Sequence, residues 1–231
     1  NELGGVIYSQ KYNDVIINNS NFDANFAGPD GSGGAIYTES NNNLEIHNST
    51  FINHMSDGTQ TGNNGNNDNT KYTADGGVIY SGSNSNVLIS GCTFDNNSSQ
   101  SRGGTLYINE NSNTIIENSI INNSTTYYAD GGAIYQENSS TLDISESSIT
   151  NNIAGLNREN NDDGDGGAIK AEYNCRVNSI GSHFDNNYAL REGGAIHFAN
   201  DADTLILHQS TINNNISNGN GGGVSIYDNE S

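Results

Sequence analysis

The sequence predicts an all-β fold, a single-stranded parallel β-helix of about eight coils. Two observations carry that reading. A Gly-Gly pair followed by a small or β-branched residue, then usually an aliphatic, recurs eight times, mostly 27 to 29 residues apart, which marks one unit stacked on its copies. Between the pairs, apolar residues return at fixed offsets spaced by two, the period of a strand with alternate side chains turned inward.

Each coil opens on the pair. The copies are Gly4-Gly5-Val6-Ile7, Gly33-Gly34-Ala35-Ile36, Gly76-Gly77-Val78-Ile79 and Gly103-Gly104-Thr105-Leu106. They continue as Gly131-Gly132-Ala133-Ile134, Gly166-Gly167-Ala168-Ile169, Gly193-Gly194-Ala195-Ile196 and a degraded Gly222-Gly223-Val224-Ser225. Tight passage into a strand needs positive φ or close backbone approach, and Gly supplies both cheaply.

With the second Gly as zero, position +10 holds Val15, Leu44, Val87, Thr114, Leu142 and Val177. Position +12 holds Ile17, Ile46, Ile89, Ile116, Ile144 and the exception Ser179. Position +15 holds Ser20, Ser49, Cys92, Ser119, Ser147 and Ser182, and +17 the anchors Phe22, Phe51, Phe94, Ile121, Ile149 and Phe184. The seventh coil runs one residue longer and uses Leu205, Leu207, Ser210 and Ile212. The three-residue step from +12 to +15 breaks the alternation and marks a bend, so three short strands per coil are expected. Beyond the anchor, Asn25, Asn97, Asn152, Asn187 and Asn215 are expected to pass amide hydrogen bonds from coil to coil, with His54 and Ser124 breaking that ladder.

Only 32% of the 231 residues are hydrophobic, with no Trp, one Pro, 28 Gly and 43 Asn. A narrow solenoid with a thin core accommodates such polarity. The net charge of −20 and seven basic residues scattered singly from Lys11 to Arg191 exclude nucleic acid and anionic membrane surfaces as partners. The acidity suits solubility and weak divalent-cation binding. No stretch reaches the apolar length of a membrane span, so direct membrane insertion of this segment is not expected. The chain reads as one β-helix domain, residues 1–231, and as a piece of a longer repeat protein.

Gly-Gly-Ala-Ile followed within one repeat by Phe-x-x-Asn resembles the chlamydial polymorphic outer-membrane protein repeat. The second motif stands as Phe22-Asp23-Ala24-Asn25, Phe94-Asp95-Asn96-Asn97 and Phe184-Asp185-Asn186-Asn187, with Ile for Phe in Ile149-Thr150-Asn151-Asn152 and Ile212-Asn213-Asn214-Asn215. The resemblance runs along essentially the whole chain and extends to large adhesin-like surface proteins. It implies a right-handed β-helix displayed outside the cell, often in adhesion, and no catalytic residues, because the shared motif is structural.

From Gly pair to anchor the count is 17 in six coils and 18 in the seventh, whereas anchor to next pair runs 11, 25, 9, 10, 17, 9 and 10. All length variation therefore falls at one corner, and the insertions Phe26–Ser32, Ser56–Asp75 (56–75) and Gly155–Asp165 (155–165) should project from the same side. Loops on a rigid scaffold are a usual place for recognition, although long surface loops also cost little when silent.

Asn161, Asp163, Asp165, Gly166 and Glu172 match EF-hand spacing, but without flanking helices, and Gly166 belongs to the structural pair; the match reads as coincidence. A simpler Ca²⁺ site would use Asp162, Asp163 and Asp165; no cofactor is otherwise required. Position +3 holds Tyr8, Tyr37, Tyr80, Tyr107 and Tyr135, then Lys170 and His197. If +2 faces inward, these tyrosines face outward as a ladder that either shields the sheet or binds a glycan or partner by stacking. Cys92 and Cys175 lie too far apart in the stack for a disulfide and should be free thiols. Sequons stand at Asn18, Asn48, Asn96, Asn97, Asn122, Asn123, Asn138, Asn215 and Asn229, a number this composition produces by chance. The five histidines, at 47, 54, 183, 197 and 208, take different coil positions and form no ligand cluster.

Glycoside hydrolysis needs two positioned carboxylates. Asp162-Asp163 is the one adjacent acidic pair, and Trp for sugar stacking is absent, so a polysaccharide lyase or hydrolase is the least favoured reading. Two others remain. One is an extracellular or cell-surface adhesin-like domain binding glycan or protein through its loop edge or Tyr face. The other is a passive shaft of a filament, appendage or surface layer, whose partners are further copies of itself.

Overall fold

The computed structural model describes residues 3–29, 31–58, 74–157, 163–199 and 203–227. The chain is a right-handed parallel β-helix, with no helix among the described residues. Four sheets run its length: one of eight strands, from Ile7–Ser9 to Val224–Tyr227, and three of seven. Every pairing is parallel and joins equivalent positions, as in Ile36↔Ile79, Leu44↔Val87 and Phe51↔Phe94.

Each coil contributes four strands rather than three. In the second coil they are Ile36–Thr38, Asn43–His47, Thr50–Ile52 and Met55–Ser56. The fourth is two residues long and pairs in every coil, so Phe26 and Ser56 belong to strands and the variable corner begins just after them. The final Gly pair is also shifted by one. Ile196 pairs with Val224, and Gly221 carries the positive φ of a first pair glycine, so the pair is Gly221-Gly222.

The two glycines of a pair do different work. Gly33 has φ +68°, and a Cβ there would fall 2.1 Å from Ile36 O. Gly34 needs no unusual φ, but its Cβ would lie 2.2 Å from Gly77 O of the next coil and 2.8 Å from Met55 O of the short fourth strand. The first turns the chain; the second lets neighbouring backbones touch.

Three further corners per coil are also left-handed, for example Asn41, Asn48 and Asn53 in the second coil, at φ 62°, 48° and 61°. Thirteen of the nineteen non-glycine residues at positive φ are Asn, the side chain that tolerates this region best after Gly. That accounts for much of the Asn content. Inside, Phe22, Phe51 and Phe94 stack with centroids 4.6 and 5.0 Å apart. The inward Leu, Ile and Val side chains of coils two to six fill the rest and are almost wholly buried.

Gly104→Ala should prevent folding or cost more than ~3 kcal/mol, because the new Cβ would meet Gly132 O at 2.2 Å and Thr125 N at 2.7 Å. Asn118→Ala, at an exposed corner with φ 49°, should cost about 1 kcal/mol, and Asn118→Gly nothing. Urea unfolding of the three variants checks the order; a Gly104→Ala protein as stable as Asn118→Ala would contradict backbone contact between coils.

Candidate functional site

The tyrosine column stands on the outer face of the eight-stranded sheet. Tyr8, Tyr37, Tyr80, Tyr107 and Tyr135 stack with centroids 5.8, 4.5, 4.9 and 5.5 Å apart and nearly parallel planes. The expectation of an outward stripe needs correction on two counts. Exposure falls along the column, from 44% at Tyr8 to 3% at Tyr107 and 2% at Tyr135. The ring faces of Tyr37, Tyr80 and Tyr107 are also spent on their neighbours, so these three have no face left for a sugar to stack on.

Long side chains flank the rings. The Arg102 guanidinium lies 4.9 Å from the centroids of both Tyr107 and Tyr135 and pairs with Asp75 at 2.9 Å and Glu137 at 2.7 Å. Tyr8 donates to Glu39. Burial raises the phenol pKa values of Tyr37, Tyr80, Tyr107 and Tyr135, so all four remain protonated.

Past Tyr135 the same row continues as two buried basic residues. Lys170 reaches Asp165 at 3.0 Å, with side chains only 4% and 6% exposed. His197 lies between Asp165 at 3.6 Å and Glu192 at 3.8 Å, and Arg191 lies 3.8 Å from Asp165. Burial first, then the Lys170 charge, push His197 down to about 3, so it is neutral.

The carboxylates in this seam share a position that the sequence reading missed, two residues before the second Gly. Ser32, Asp75, Arg102, Asp130, Asp165, Glu192 and Asn220 occupy it in successive coils. Side-chain oxygens there accept the backbone N–H of the same position in the following coil: Ser32 from Asp75, Asp75 from Arg102, Asp130 from Asp165, and Asp165 from Glu192. The residue types vary, so only the fixed offset could have revealed the row.

The Asn positions lie at another corner. Asn97 Oδ1 accepts from His54 N, Asn152 Oδ1 from Ser124 N, Asn187 Oδ1 from Asn152 N and Asn215 Oδ1 from Asn187 N, at 2.8 to 3.0 Å. Each of these Asn amides also donates to the carbonyl of the preceding coil's anchor, as Asn97 does to Phe51 O at 3.1 Å. His54 does not interrupt this chain. Its Nδ1 accepts from Asn25 N at 3.0 Å, taking the amide oxygen's part, and the proton then sits on Nε2. Ser124 instead turns its hydroxyl to Thr105, at 2.7 Å.

Cys92 and Cys175 are buried and free. Burial raises both thiols, Cys175 to about 12, so neither is an activated nucleophile. Of the sequons, Asn97 is buried in the amide chain, Asn215 donates to Phe184 O, and Asn18, Asn48, Asn96, Asn123 and Asn138 are exposed. Asn122 is half-buried and donates to Asp95, and Asn229 lies outside the described residues.

At the loop corner, Asp162 and residues 59–73 lie outside the described residues, as do 158–161. Asp165 is committed to Lys170 and the backbone, while Asp162 of the suggested trio lies outside the described residues. Among the described residues no three His, Cys, Asp or Glu side chains are grouped to hold a metal. The third insertion leaves the stack through a neck at which a Cβ on Gly155 would fall 2.8 Å from Gly164 Cα.

Acid titration separates two groups, buried His197 and half-buried Asp203. Between about pH 6.5 and 3 the unfolded chain binds a proton at His197 that the folded chain refuses, so stability falls as pH drops, by up to ~1.4 kcal/mol per pH unit. Asp203 is the opposite case. Burial raises it from 3.8 to about 6, and its Oδ2 has no hydrogen-bond partner. The folded chain therefore holds a proton between those values that the unfolded chain has lost, and stability rises as pH drops through that window. Asp203→Asn should lose stability more steeply than the parent between about pH 6 and 4, and His197→Gln less steeply. Urea midpoints at several pH values test this; parallel curves for parent and Asp203→Asn would refute the assignment.

Two segments, residues 91–109 and 181–199, match the model of the Chlamydia polymorphic membrane protein (Chlamydia_PMP) repeat. Each runs from a glycine corner through Phe-Asp-Asn-Asn and the short fourth strand to the next Gly pair, where the corner is at its shortest. No curated protein and no solved structure matches the chain. The chain thus carries, at least twice, the repeat of a chlamydial polymorphic membrane protein on a parallel β-helix frame.

Proposed function

We propose that the chain is a non-catalytic surface-displayed β-helix that engages a glycan or protein ligand through its variable loop corner. One observation carries this reading. Four sheets continue from coil to coil without a register change, while length variation is concentrated in the connection from fourth strand to Gly pair, from Ser99–Gly103 to Ser56–Gly76, against a single added residue in the seventh coil elsewhere. A rigid frame with one variable edge is how scaffolds present recognition loops. The repeat match supports a surface setting, since the family it describes is one of membrane proteins. The tyrosine face is a weaker candidate, because its rings are stacked on each other and two of the five are buried. The passive-shaft reading draws on the same unbroken sheets and differs in assigning the loops no ligand.

The frame itself defines the test. Removing residues 58–73 leaves Ser56-Asp57-Ala74-Asp75-Gly76, which repeats the natural short corner Ser99-Gln100-Ser101-Arg102-Gly103. Removing 156–163 joins Gly155 to Gly164 across the existing neck. Trimmed proteins should keep the parent's circular dichroism and lose no more than about 1 kcal/mol. Binding to glycan arrays or host-cell surfaces should disappear. Binding retained at parental strength would remove the loop corner from consideration, and a parent that binds nothing on either would favour the shaft.

A further inference from the structure

The bend between the second and third strands contains a residue that breaks the rule of its corner. The position fourteen past the second Gly is left-handed in each of the first six coils: Asn19, Asn48, Gly91, Asn118, Glu146 and Gly181, at φ 46° to 64°. Glu146 is the one acid among the nineteen described non-glycine residues at positive φ, a conformation that Asn adopts at less cost than a longer side chain. Its carboxylate does not offset that cost, because among the described residues it makes no hydrogen bond or ion pair. It leans over Gly181 of the next coil, where a Cβ would collide with Glu146 Oε1. A residue held in an unfavoured conformation with an unpaired charge points to function.

The carboxylate stands in a groove. Ile120, Ser148 and His183 pair in register as the outward residues of the third strands in coils four to six. Ser148 is small between two larger neighbours and lies beside the bare Gly181, which leaves an open hollow of about 330 Å³. Ile120, 47% exposed, forms one wall. His183, its Nδ1 held by the Thr211 hydroxyl at 2.8 Å, forms the other. Asn118, Glu146 and Ser148 line the hollow, and none of the three is hydrogen-bonded through its side chain among the described residues. Other outward Asn side chains are linked from coil to coil, as Asn86 is to Asn43 at 2.9 Å and Asn96 to Asn53 at 2.7 Å.

We propose that this groove takes an arginine side chain of a partner protein. An unpaired carboxylate on a chain of net charge −20 attracts a cation. The apolar wall of Ile120 suits a charged head carried on an aliphatic stem. Arginine fits better than lysine, because the flat guanidinium presents five donors in a fixed fork. Two of them match the paired oxygens of Glu146, which leaves others for Asn118 Oδ1 and Ser148 Oγ. The groove is two bends away from the variable loop corner, so the two are separate contact surfaces and stand or fall independently.

Amide NMR titration with a capped Gly-Arg-Gly peptide tests this, beside the same peptide carrying lysine or citrulline. The arginine peptide should shift the amides of Asn118, Glu146, Ser148 and Gly181 saturably, the lysine peptide should bind several-fold more weakly, and neutral citrulline should leave them unmoved. The loop-trimmed protein should bind as the parent does. Glu146→Asn installs the residue that the preceding coil uses at this corner, so its urea midpoint should be no lower than the parent's while the shifts disappear. Glu146→Gln should lose them as well. A lower midpoint for Glu146→Asn would make Glu146 a residue of the frame and overturn the proposal. So would shifts spread evenly over the acidic surface or unchanged in Glu146→Gln. N-acetylglucosamine moving these amides where the arginine peptide does not would give the groove to a sugar instead.

Discussion

Neighbouring coils approach most closely where backbone meets backbone at the second Gly of each pair, and the rest of the structure depends on that contact. A Cβ at Gly77 would lie 2.0 Å from Gly104 O and 2.4 Å from Ser98 O, so this one position locks a coil both to the next coil and to its own fourth strand. Register follows directly. A slip of one residue would bring a side chain into that gap, and it would also turn every inward residue outward. The equal count from Gly pair to anchor in six coils is the sequence consequence. From the anchor onward the chain has only to return to the same contact, and any loop that closes will do.

Stacking backbones this closely leaves N–H groups at bends where the sheet ladders are interrupted, and burial makes them costly if unpaired. Side chains answer at all four corners. Besides the Asn row and the acidic row, Ser20 N bonds to Ser49 Oγ and Cys92 N to Ser119 Oγ at one bend. Asn13 N bonds to Asn42 Oδ1 and Ser85 N to Ser112 Oγ at another. Polar residues thus do in this chain what a thicker apolar core does in a globular domain: they tie one layer to the next. That is why 32% hydrophobic content is compatible with an ordered solenoid rather than disorder.

The parts legible in the sequence were those whose residue type is dictated as well as their position. Ile, Val and Phe at +10, +12 and +17 and Gly at the pair have no alternatives of the right size or conformation, so their periodicity showed. The fourth strand was hidden because its inward residue faces a narrow gap and is small: Ala27, Ser56, Ser99, Thr126, Ala154 or Ala189. No apolar alternation marks it. The acidic row was hidden for the converse reason, since the acceptor two residues before the second Gly can be Ser or Asp, and Arg102, Glu192 and Asn220 also stand in the row. Three consecutive glycines at 221–223 left the last register ambiguous until φ resolved it. The burial of Tyr107 and Tyr135 depends on Arg102 folding back from a neighbouring position, a tertiary contact that strand alternation cannot express.

The same frame decides where variation can act. On the eight-stranded face the column of rings and then the Lys170–Asp165–His197 cluster are packed tightly enough that a new ligand would have to displace buried charges, which is costly. Asp75 and Asp165 sit at the junction between that face and the loop corner, each holding the following coil's backbone on one side and a cation on the other. A loop can therefore lengthen outward without disturbing the stack so long as the residue before the Gly pair keeps its acceptor. The two long insertions, 56–75 and 155–165, both end on such an aspartate. The corner is free to diverge because the carboxylate that closes it belongs to the frame.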